Sequence, residues 1–282
     1  MNLADDRRLR FLRRDTDPPR RRLRRGVYLL PSLFTMAHMF CGYACIVYAM
    51  RGEYETAAPF IGFAVVLDML DGRIARLTGT TSAFGVEFDS LADVISFGVA
   101  PAILVYSWGL APLGRLGMTA GFMFIACAAM RLARFNIQSG GGDKRYFVGM
   151  PSPTAAAIPA ATVFAYPFGL YDYRAALPAL LVVLVPAVLM VSTIRFRSFK
   201  TIDLQSRRSY TVLIVIAAGI VAIATHPKSV LLALAYGYLA SAFIEMAIAR
   251  FKRRGEPPES VPSAPPAVPA VPDAARDAAG RG

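Results

Sequence analysis

Four aspartates interrupt an otherwise apolar part of the chain, in the stretch DMLDGRIARLTGTTSAFGVEFDSLAD from residue 68 to residue 93. A carboxylate taken into hydrocarbon costs several kcal/mol unless something positive compensates it. Asp68 and Asp71 are three residues apart and Asp89 and Asp93 four apart, so each pair lies on one face if both segments are helical. The stretch therefore predicts two helices whose acidic faces meet around positive charge.

The turn between the two helices sets the depth of the acids. With the turn centred near residues 80–82, Asp71 and Asp93 each lie roughly ten residues from it, which is about 15 Å along a helix. Carboxylates gathered at one depth repel one another, and one or two divalent cations are the simplest compensation. Because all the donors are oxygens, with no His or Cys in the stretch, we predict Mg²⁺ or Mn²⁺ rather than zinc or copper.

The residues between the acids suit phosphate chemistry. Gly72 lets a ligand approach the backbone, and Arg76, one turn further on, offers a fork of donors to phosphate oxygens. The hydroxyls of residues 80–82 can bond a nucleotide or phosphate at the mouth of the site. Ala75 and Gly85 are small and are predicted to let helices pack closely.

The fixed positions of this stretch, written D-x2-D-G-x2-A-R-x8-G-x3-D-x3-D, resemble the signature of the CDP-alcohol phosphatidyltransferase family. They are Asp68, Asp71, Gly72, Ala75, Arg76, Gly85, Asp89 and Asp93. The resemblance implies an all-α, polytopic membrane helix bundle with two divalent ions. It makes Asp68, Asp71 and Asp89 metal ligands, and Asp93 both the catalytic base and a ligand of the second ion. It also implies that Gly72, Arg76, Ser82 and Thr35 bind CDP-diacylglycerol.

Stretches outside the motif look like the phosphatidylserine synthase branch of that family. They are PSLFTMAHMFCG, MRLARFN, KRYFVGMPSPTAA and STIRFRSFK, and with the motif the resemblance covers about residues 27–200. It implies transfer of the phosphatidyl group of CDP-diacylglycerol to the hydroxyl of L-serine, with release of CMP. Serine binding then falls to Arg134, Asn136, Lys144 and Ser152. On charge alone, the basic residues here, Arg131 included, are more simply explained as cytoplasmic-side residues that pair with lipid headgroups.

His38 departs from the pattern of that branch, where Asn is expected at this position. On an apolar helix, a histidine is most simply a buried and hydrogen-bonded residue, and we do not assign it as the base. Two other functions stay open. A sister transferase with glycerol phosphate or inositol phosphate as acceptor would share the aspartate motif, and a divalent cation transporter would also need acids within the membrane.

The composition indicates a membrane protein. Of 282 residues, 55% are hydrophobic, and the mean hydropathy of +0.45 is rarely reached by a soluble domain. The net charge is +12, but the basic residues cluster beside apolar segments, which favours anionic membrane lipids over nucleic acid as partners. Cys41, Cys45 and Cys127 fall in apolar segments and are predicted to be packing residues. A homodimer is a further possible assembly, since the family resemblance implies frequent dimers.

Eight apolar stretches are predicted to cross the membrane. They lie at about residues 27–50, 56–78, 86–108, 116–135, 153–170, 173–193, 209–225 and 229–249. Most are long enough for about 30 Å of hydrocarbon, although the short fifth and seventh leave six or seven crossings possible. They form a transmembrane catalytic domain at 27–250, between a basic cytoplasmic segment at 1–26 and a disordered Pro- and Ala-rich cytoplasmic tail at 251–282.

Basic residues predict the orientation. Of 31 Lys and Arg residues, the outer connections hold only Arg51, Arg115, Arg174 and Lys228. We therefore predict a multi-pass protein of the cytoplasmic (inner) membrane, with both ends and the aspartate site facing the cytoplasm. Aromatic residues at the outer ends, Tyr106, Trp108, Tyr171 and Tyr173, are predicted to anchor the outer interface.

Overall fold

The computed structural model describes residues 29–79, 82–139, 147–192, 195–196 and 209–255. The predicted basic segment at 1–26, the threonines at 80 and 81, Lys144 and the tail beyond residue 255 lie outside these ranges. Two compact units divide the chain, Met1–Phe243 and Ile244–Gly282. Every site residue described below belongs to the first unit, and the second includes the end of the last helix.

Helices account for nearly all of the described residues. They are α1 (Leu29–Met50), α2 (Tyr54–Thr78), α3 (Ala83–Leu113), α4 (Arg115–Ser139), α5 (Ser152–Ala165), α6 (Tyr173–Val191), α7 (Ser209–Thr225) and α8 (Pro227–Gly255). Two strands of two residues each, β1 (Phe147–Val148) and β2 (Arg195–Phe196), pair antiparallel. Apart from this pair, the described chain is all-α, as predicted.

Four of the described helices are long and apolar enough to cross a membrane. By length and composition these are Ser32–Met50, Ala83–Leu113, Arg115–Ile137 and Tyr173–Val191. Each of the eight predicted stretches contains a helix, but α5 has 14 residues and α7 has 17. The chain is therefore a membrane protein with four membrane-capable helices in its described part, and eight crossings stay a prediction.

Large apolar side chains on the outside of the helices agree with a lipid environment. Leu33 and Phe40 on α1, Phe122 on α4 and Leu181 on α6 are each more than half exposed. Soluble proteins rarely leave so many large apolar side chains in water, whereas hydrocarbon tails cover them without cost. Of the predicted interface anchors, Tyr171 and Tyr173 are exposed.

Trp108, in contrast, is not an interface anchor. Its side chain is buried, and its Nε1 donates a 2.8 Å hydrogen bond to the backbone oxygen of Tyr166. The backbone N–H of Leu170 in turn donates to the backbone oxygen of Trp108 at 2.7 Å. Trp108 thus ties α3 to the segment that follows α5, a contact that its sequence position could not reveal.

The turn between α2 and α3 is bounded by a C-terminal cap on α2 and an N-terminal cap on α3. Gly79 ends α2 in the left-handed conformation, with φ of 61°, and its N–H bonds the carbonyls of Ala75 and Arg76. Ser82 caps α3, its Oγ accepting the backbone N–H of Gly85 at 3.0 Å. A Cβ on Gly85 would lie 3.1 Å from this Oγ and within 4 Å of no other helix in the described residues. The small residue therefore fits beside the cap, and its predicted role in helix packing stays a prediction.

Helix α3 changes its winding directly after Asp93, where Val94–Val99 forms a π-helical segment. Helix α1 lies very close to this segment, since a Cβ on Gly42 would stand 2.5 Å from Ser96 Oγ. Only glycine permits that approach. The Ser96 hydroxyl donates to the backbone oxygen of His38 at 3.2 Å, which fixes α1 against the part of α3 that carries Asp93.

The short β pair positions the start of α5. Gly149 follows β1 with φ of +88°, and a Cβ there would overlap the backbone oxygen of Met190 at the end of α6. The next backbone N–H, of Met150, donates to the Leu189 oxygen at 3.0 Å. Helix α5 then begins with the buried Ser152.

Candidate active site

The predicted acidic faces of α2 and α3 do meet. One ligand atom from each of four side chains lies within 4.8 Å of the others, and these side chains are His38, Asp68, Asp89 and Asp93. The i, i+4 spacing turns both α3 acids toward α2. The two-helix cluster predicted from the sequence is therefore present, with a histidine from α1 as an additional member.

Asp71 occupies the buried side of the same cluster. Its side chain is 4% exposed, and its Oδ2 accepts a 3.2 Å hydrogen bond from Thr35 Oγ1 on α1. It also interacts electrostatically with each of the other three carboxylates. All four predicted aspartates thus share one electrostatic site, and α1 supplies a hydrogen-bond donor to it.

His38 is buried, as predicted, but the expected hydrogen bonds are missing. The side chain is fully buried and neither ring nitrogen has a hydrogen-bond partner among the described residues. Its Nε2 lies 4.0 Å from Oδ1 of Asp93, beyond hydrogen-bond length. The sequence placed His38 on an apolar helix correctly, but it could not show that the ring points at the acids.

The donor set fits a divalent cation. One buried carboxylate oxygen on Asp89 and one on Asp93 have no hydrogen-bond partner among the described residues. Buried polar atoms are nearly always paired, so unpaired oxygens beside further carboxylates form a group that could hold a cation. Carboxylate oxygens are the ligands that Mg²⁺ and Mn²⁺ favour.

Arg131 on α4 is a site residue that the sequence analysis did not select. It interacts electrostatically with Asp68 and Asp93, and its Nη1 donates a 2.8 Å hydrogen bond to Ser152 Oγ on α5. Its guanidinium carbon also lies 5.9 Å from the ring centre of Phe135. The only sequence feature that could have identified Arg131 is its position one turn before Arg134, a predicted serine-binding residue, on the same face of the helix.

The residues predicted to bind CDP-diacylglycerol differ in their burial and in the contacts that they make. Thr35 is buried beneath Asp71, and Ser82 caps α3 at the exposed turn. Arg76 is exposed and its Nε donates to the Gly72 backbone oxygen at 2.8 Å. A Cβ on Gly72 would meet no atom within 4 Å, so helix packing does not require glycine there and the space beside its backbone is open.

The residues predicted to bind serine are only partly brought to the acids. Ser152 reaches the site through its bond to Arg131. Asn136 Nδ2 donates to Ser90 Oγ at 2.9 Å, next to Asp89 in the chain. Arg134 lies half-buried on α4, one turn after Arg131, and Lys144 is outside the described residues. Their roles in substrate binding stay predictions.

Known proteins match both the motif and its surroundings. The sequence profile of the CDP-alcohol phosphatidyltransferase family matches residues 28–194. The CDP-diacylglycerol–serine O-phosphatidyltransferase of Helicobacter pylori (strain ATCC 700392 / 26695) is 41% identical over 191 residues, which are 67% of this chain and 80% of that protein. The archaetidylserine synthase of Methanothermobacter thermautotrophicus is 38% identical over 169 residues, or 59% of this chain and 69% of the relative.

A eukaryotic relative is similar over a shorter region. The CDP-diacylglycerol–serine O-phosphatidyltransferase of Saccharomyces cerevisiae is 36% identical over 143 residues, 46% of this chain and 51% of that protein. The profile match includes α1 to α6, from which every side chain of the acidic cluster comes. With four aspartates gathered from two helices in that matched region, the chain belongs to the CDP-alcohol phosphatidyltransferase family.

Proposed function

We propose that this protein is a CDP-diacylglycerol–serine O-phosphatidyltransferase, which makes phosphatidylserine and CMP. The observation that carries the proposal is the cluster of Asp68, Asp89 and Asp93, with Asp71 interacting electrostatically and the half-buried Arg131 beside them, in a chain 41% identical to a relative named for this reaction. Serine as the acceptor rests on the names of the relatives, several of which are named for serine transfer.

In the proposed reaction, the hydroxyl oxygen of serine bonds to the lipid-side phosphorus of CDP-diacylglycerol. The bond from that phosphorus to the bridging oxygen of the diphosphate breaks, and CMP leaves with that oxygen. Asp93 accepts the hydroxyl proton as the new bond forms, so that charge does not build up on the attacking oxygen. The diacylglycerol tails can remain in hydrocarbon throughout, which accounts for a site set among membrane helices.

Asp68, Asp71, Asp89 and Asp93 would hold the divalent ions, Mg²⁺ or Mn²⁺. Bound there, the ions would supply positive charge for the diphosphate and polarise its phosphoryl oxygens. Thr35 contributes by holding Oδ2 of Asp71 in place, so that the carboxylate is oriented to act as a ligand. Gly72 leaves open space in which the nucleotide can come close to the backbone of α2, and Arg76 and Ser82 are proposed to bind its phosphates.

Arg131 is proposed to act on the acceptor side of the site. It connects Asp68 and Asp93 electrostatically with Ser152, one of the predicted serine-binding residues. A guanidinium can bind the carboxylate of serine with two parallel hydrogen bonds. Arg134, Asn136 and Lys144 are proposed to extend this acceptor site toward the cytoplasm.

The proposed setting is the cytoplasmic membrane, with the site open to the cytoplasm, where the water-soluble serine is supplied. The predicted basic segment at 1–26 would contact anionic lipids on the same side. A homodimer also stays a proposal, and nucleic acid is not a proposed partner.

The experiment that tests the function is an acceptor competition. Purified protein in vesicles containing CDP-diacylglycerol receives labelled serine and glycerol phosphate together, and the lipid product is identified by mass spectrometry. We expect phosphatidylserine and an equal amount of CMP, with both lost on chelation of divalent ions and in Asp93→Asn. A product carrying glycerol phosphate would instead assign the protein to a sister transferase.

A further inference from the structure

His38 is a buried ionisable side chain that the proposed reaction does not use. The described part of the structure leaves both of its ring nitrogens without a hydrogen-bond partner, although the side chain is fully buried. Burying an unpaired polar group is costly, so a histidine with two such nitrogens requires an explanation. Its position gives one, because the ring faces the acidic cluster, with Nε2 4.0 Å from Asp93 Oδ1.

The direction of the ring is set by its surroundings. The imidazole packs on the Phe97 ring, with centroids 4.9 Å apart and planes inclined by 32°. The backbone of His38 is tied to α3 by the hydroxyl of Ser96, and Gly42 allows the two helices to approach. These contacts direct the ring at the carboxylates that α3 carries.

We propose that His38 is a nitrogen ligand of a divalent ion held with Asp68, Asp89 and Asp93, and that the site consequently favours Mn²⁺ over Mg²⁺. The inference deepens the proposed function, on which it rests, by assigning the ion. Three acids and one imidazole form a mixed donor set, whereas the aspartate motif alone supplies only oxygen. Mg²⁺ strongly prefers oxygen ligands, and affinity for sites containing nitrogen rises along the first-row series that begins with Mn²⁺.

The distances favour ligation over a direct hydrogen bond. Two donors of one ion, each about 2.1 Å from it, can stand up to about 4.2 Å apart, and Nε2 and the Asp93 oxygen are 4.0 Å apart. A hydrogen bond between them would need about 3 Å. Asp68 and Asp89 each contribute one carboxylate oxygen to the same group, whose ligand atoms lie within 4.8 Å of one another, so a cation drawing these side chains slightly inward would contact atoms on three different helices.

The composition of the chain allows a direct test. It contains only two histidines, His38 and His226, and His226 is exposed and lies between α7 and α8. In the His226→Asn variant, His38 is therefore the only histidine. Full-length His226→Asn protein, purified with a tag that lacks histidine, is produced once with natural nitrogen and once with ¹⁵N-labelled histidine, then loaded with Mn²⁺ alone.

Pulsed electron paramagnetic resonance on these samples reports nitrogen bonded to manganese. We expect a nitrogen coupling that changes from the ¹⁴N to the ¹⁵N pattern on histidine labelling, and that disappears in the double variant His38→Asn, His226→Asn. Bound Mn²⁺ with no change on labelling would overturn the proposal. Because the labelled sample keeps His38 itself, this result does not depend on whether the His38 variant folds.

Metal affinity provides a second readout. In equilibrium titrations we expect His38→Asn to weaken Mn²⁺ binding by about tenfold or more, while Mg²⁺ binding changes far less. Equal loss of both ions, or loss of neither, would contradict a nitrogen ligand. The outcomes are separable from the proposed function, since phosphatidylserine formation without histidine coupling would refute only the role of His38. Histidine coupling without phosphatidylserine formation would refute only the reaction.

Discussion

Thr35 Oγ1 on α1 donates a hydrogen bond of 3.2 Å to Asp71 Oδ2 on α2, inside the protein. The bond joins a helix that carries no acid of the motif to one that carries two. Since Asp71 is almost fully buried, its orientation depends on protein donors, Thr35 and the backbone of Gly72, rather than on water. Thr35 is therefore placed to orient Asp71, a proposed metal ligand.

Replacing Thr35 with valine removes the donor and keeps the shape of the side chain. We expect the concentration of Mg²⁺ or Mn²⁺ needed for half-maximal transfer to rise about tenfold or more, because partners of metal ligands are typically worth that much. Thr35→Ser retains a hydroxyl and is the matched control, expected to stay near the wild-type value. A valine variant with unchanged metal dependence would show that the bond does not orient Asp71.

Arg131→Gln removes a positive charge that interacts with Asp68 and Asp93 and bonds Ser152. We expect kcat/KM for serine to fall at least about tenfold, since hydrogen bonds to charged groups contribute about 1.5–3 kcal/mol. Arg131→Lys keeps the charge without the planar fork and should recover only part of the activity. Initial rates over a range of serine concentrations provide the measurement.

Arg134→Gln is the comparison for Arg131, because family resemblance favoured Arg134 whereas contacts favour Arg131. The thermal unfolding midpoint of each variant is measured alongside, so that a folding defect is recognised. If Arg134→Gln loses serine affinity and Arg131→Gln keeps it, the acceptor site lies further along α4 than we propose.

The acidic cluster was predictable because it follows from spacing within two adjacent helices. Helical periodicity places Asp89 and Asp93 on one face, and a short turn returns that face to α2. The contributions of His38 and Arg131 come from α1 and α4, and no local pattern reports how those helices rotate against α2 and α3. Sequence reasoning consequently found the acids and missed the two nitrogen-bearing side chains beside them.

The fold, like the site, was predictable from the sequence only in part. Runs of apolar residues located a helix at each predicted stretch, since burial in lipid demands continuous hydrophobicity. The π-helical winding after Asp93 was not predicted, because it accompanies the close contact of Gly42 with Ser96, two residues far apart in the chain. Trp108 was misplaced for the same reason, its partner Tyr166 being on another segment.

Gly72→Ala tests whether the nucleotide approaches the backbone of α2. No atom lies within 4 Å of the added Cβ, and alanine favours helix, so the unfolding midpoint should be unchanged or slightly higher. We expect KM for CDP-diacylglycerol to rise by about tenfold, the effect of losing a contact of about 1.4 kcal/mol. The measurement is initial rate against the surface concentration of CDP-diacylglycerol in mixed micelles.

Gly62→Ala is the matched control, since Gly62 lies on the same helix and its added Cβ also meets no atom within 4 Å. This variant should keep wild-type KM and kcat. Equal kinetics for the two alanine variants would argue that the open space at Gly72 is not used by substrate.

The proposed cytoplasmic placement of the site predicts which ends of the helices can be labelled from outside the cell. Ala83 lies at the turn that leads into α3, and Tyr171 lies between α5 and α6; both are exposed. The three native cysteines are buried, so single cysteines introduced at these positions can be labelled selectively. Because α3, α4 and α5 would each cross the membrane once between them, the two positions should lie on opposite sides.

A membrane-impermeant maleimide applied to intact spheroplasts of a bacterial host should therefore label Tyr171→Cys and leave Ala83→Cys unmodified. Permeabilising the membrane should make Ala83→Cys reactive as well, which checks that its thiol is accessible. The wild-type protein provides the background from native cysteines. Labelling of Ala83→Cys in intact spheroplasts would place the aspartate site on the outer face. That result would contradict the proposed orientation, because cytoplasmic serine could not reach the site.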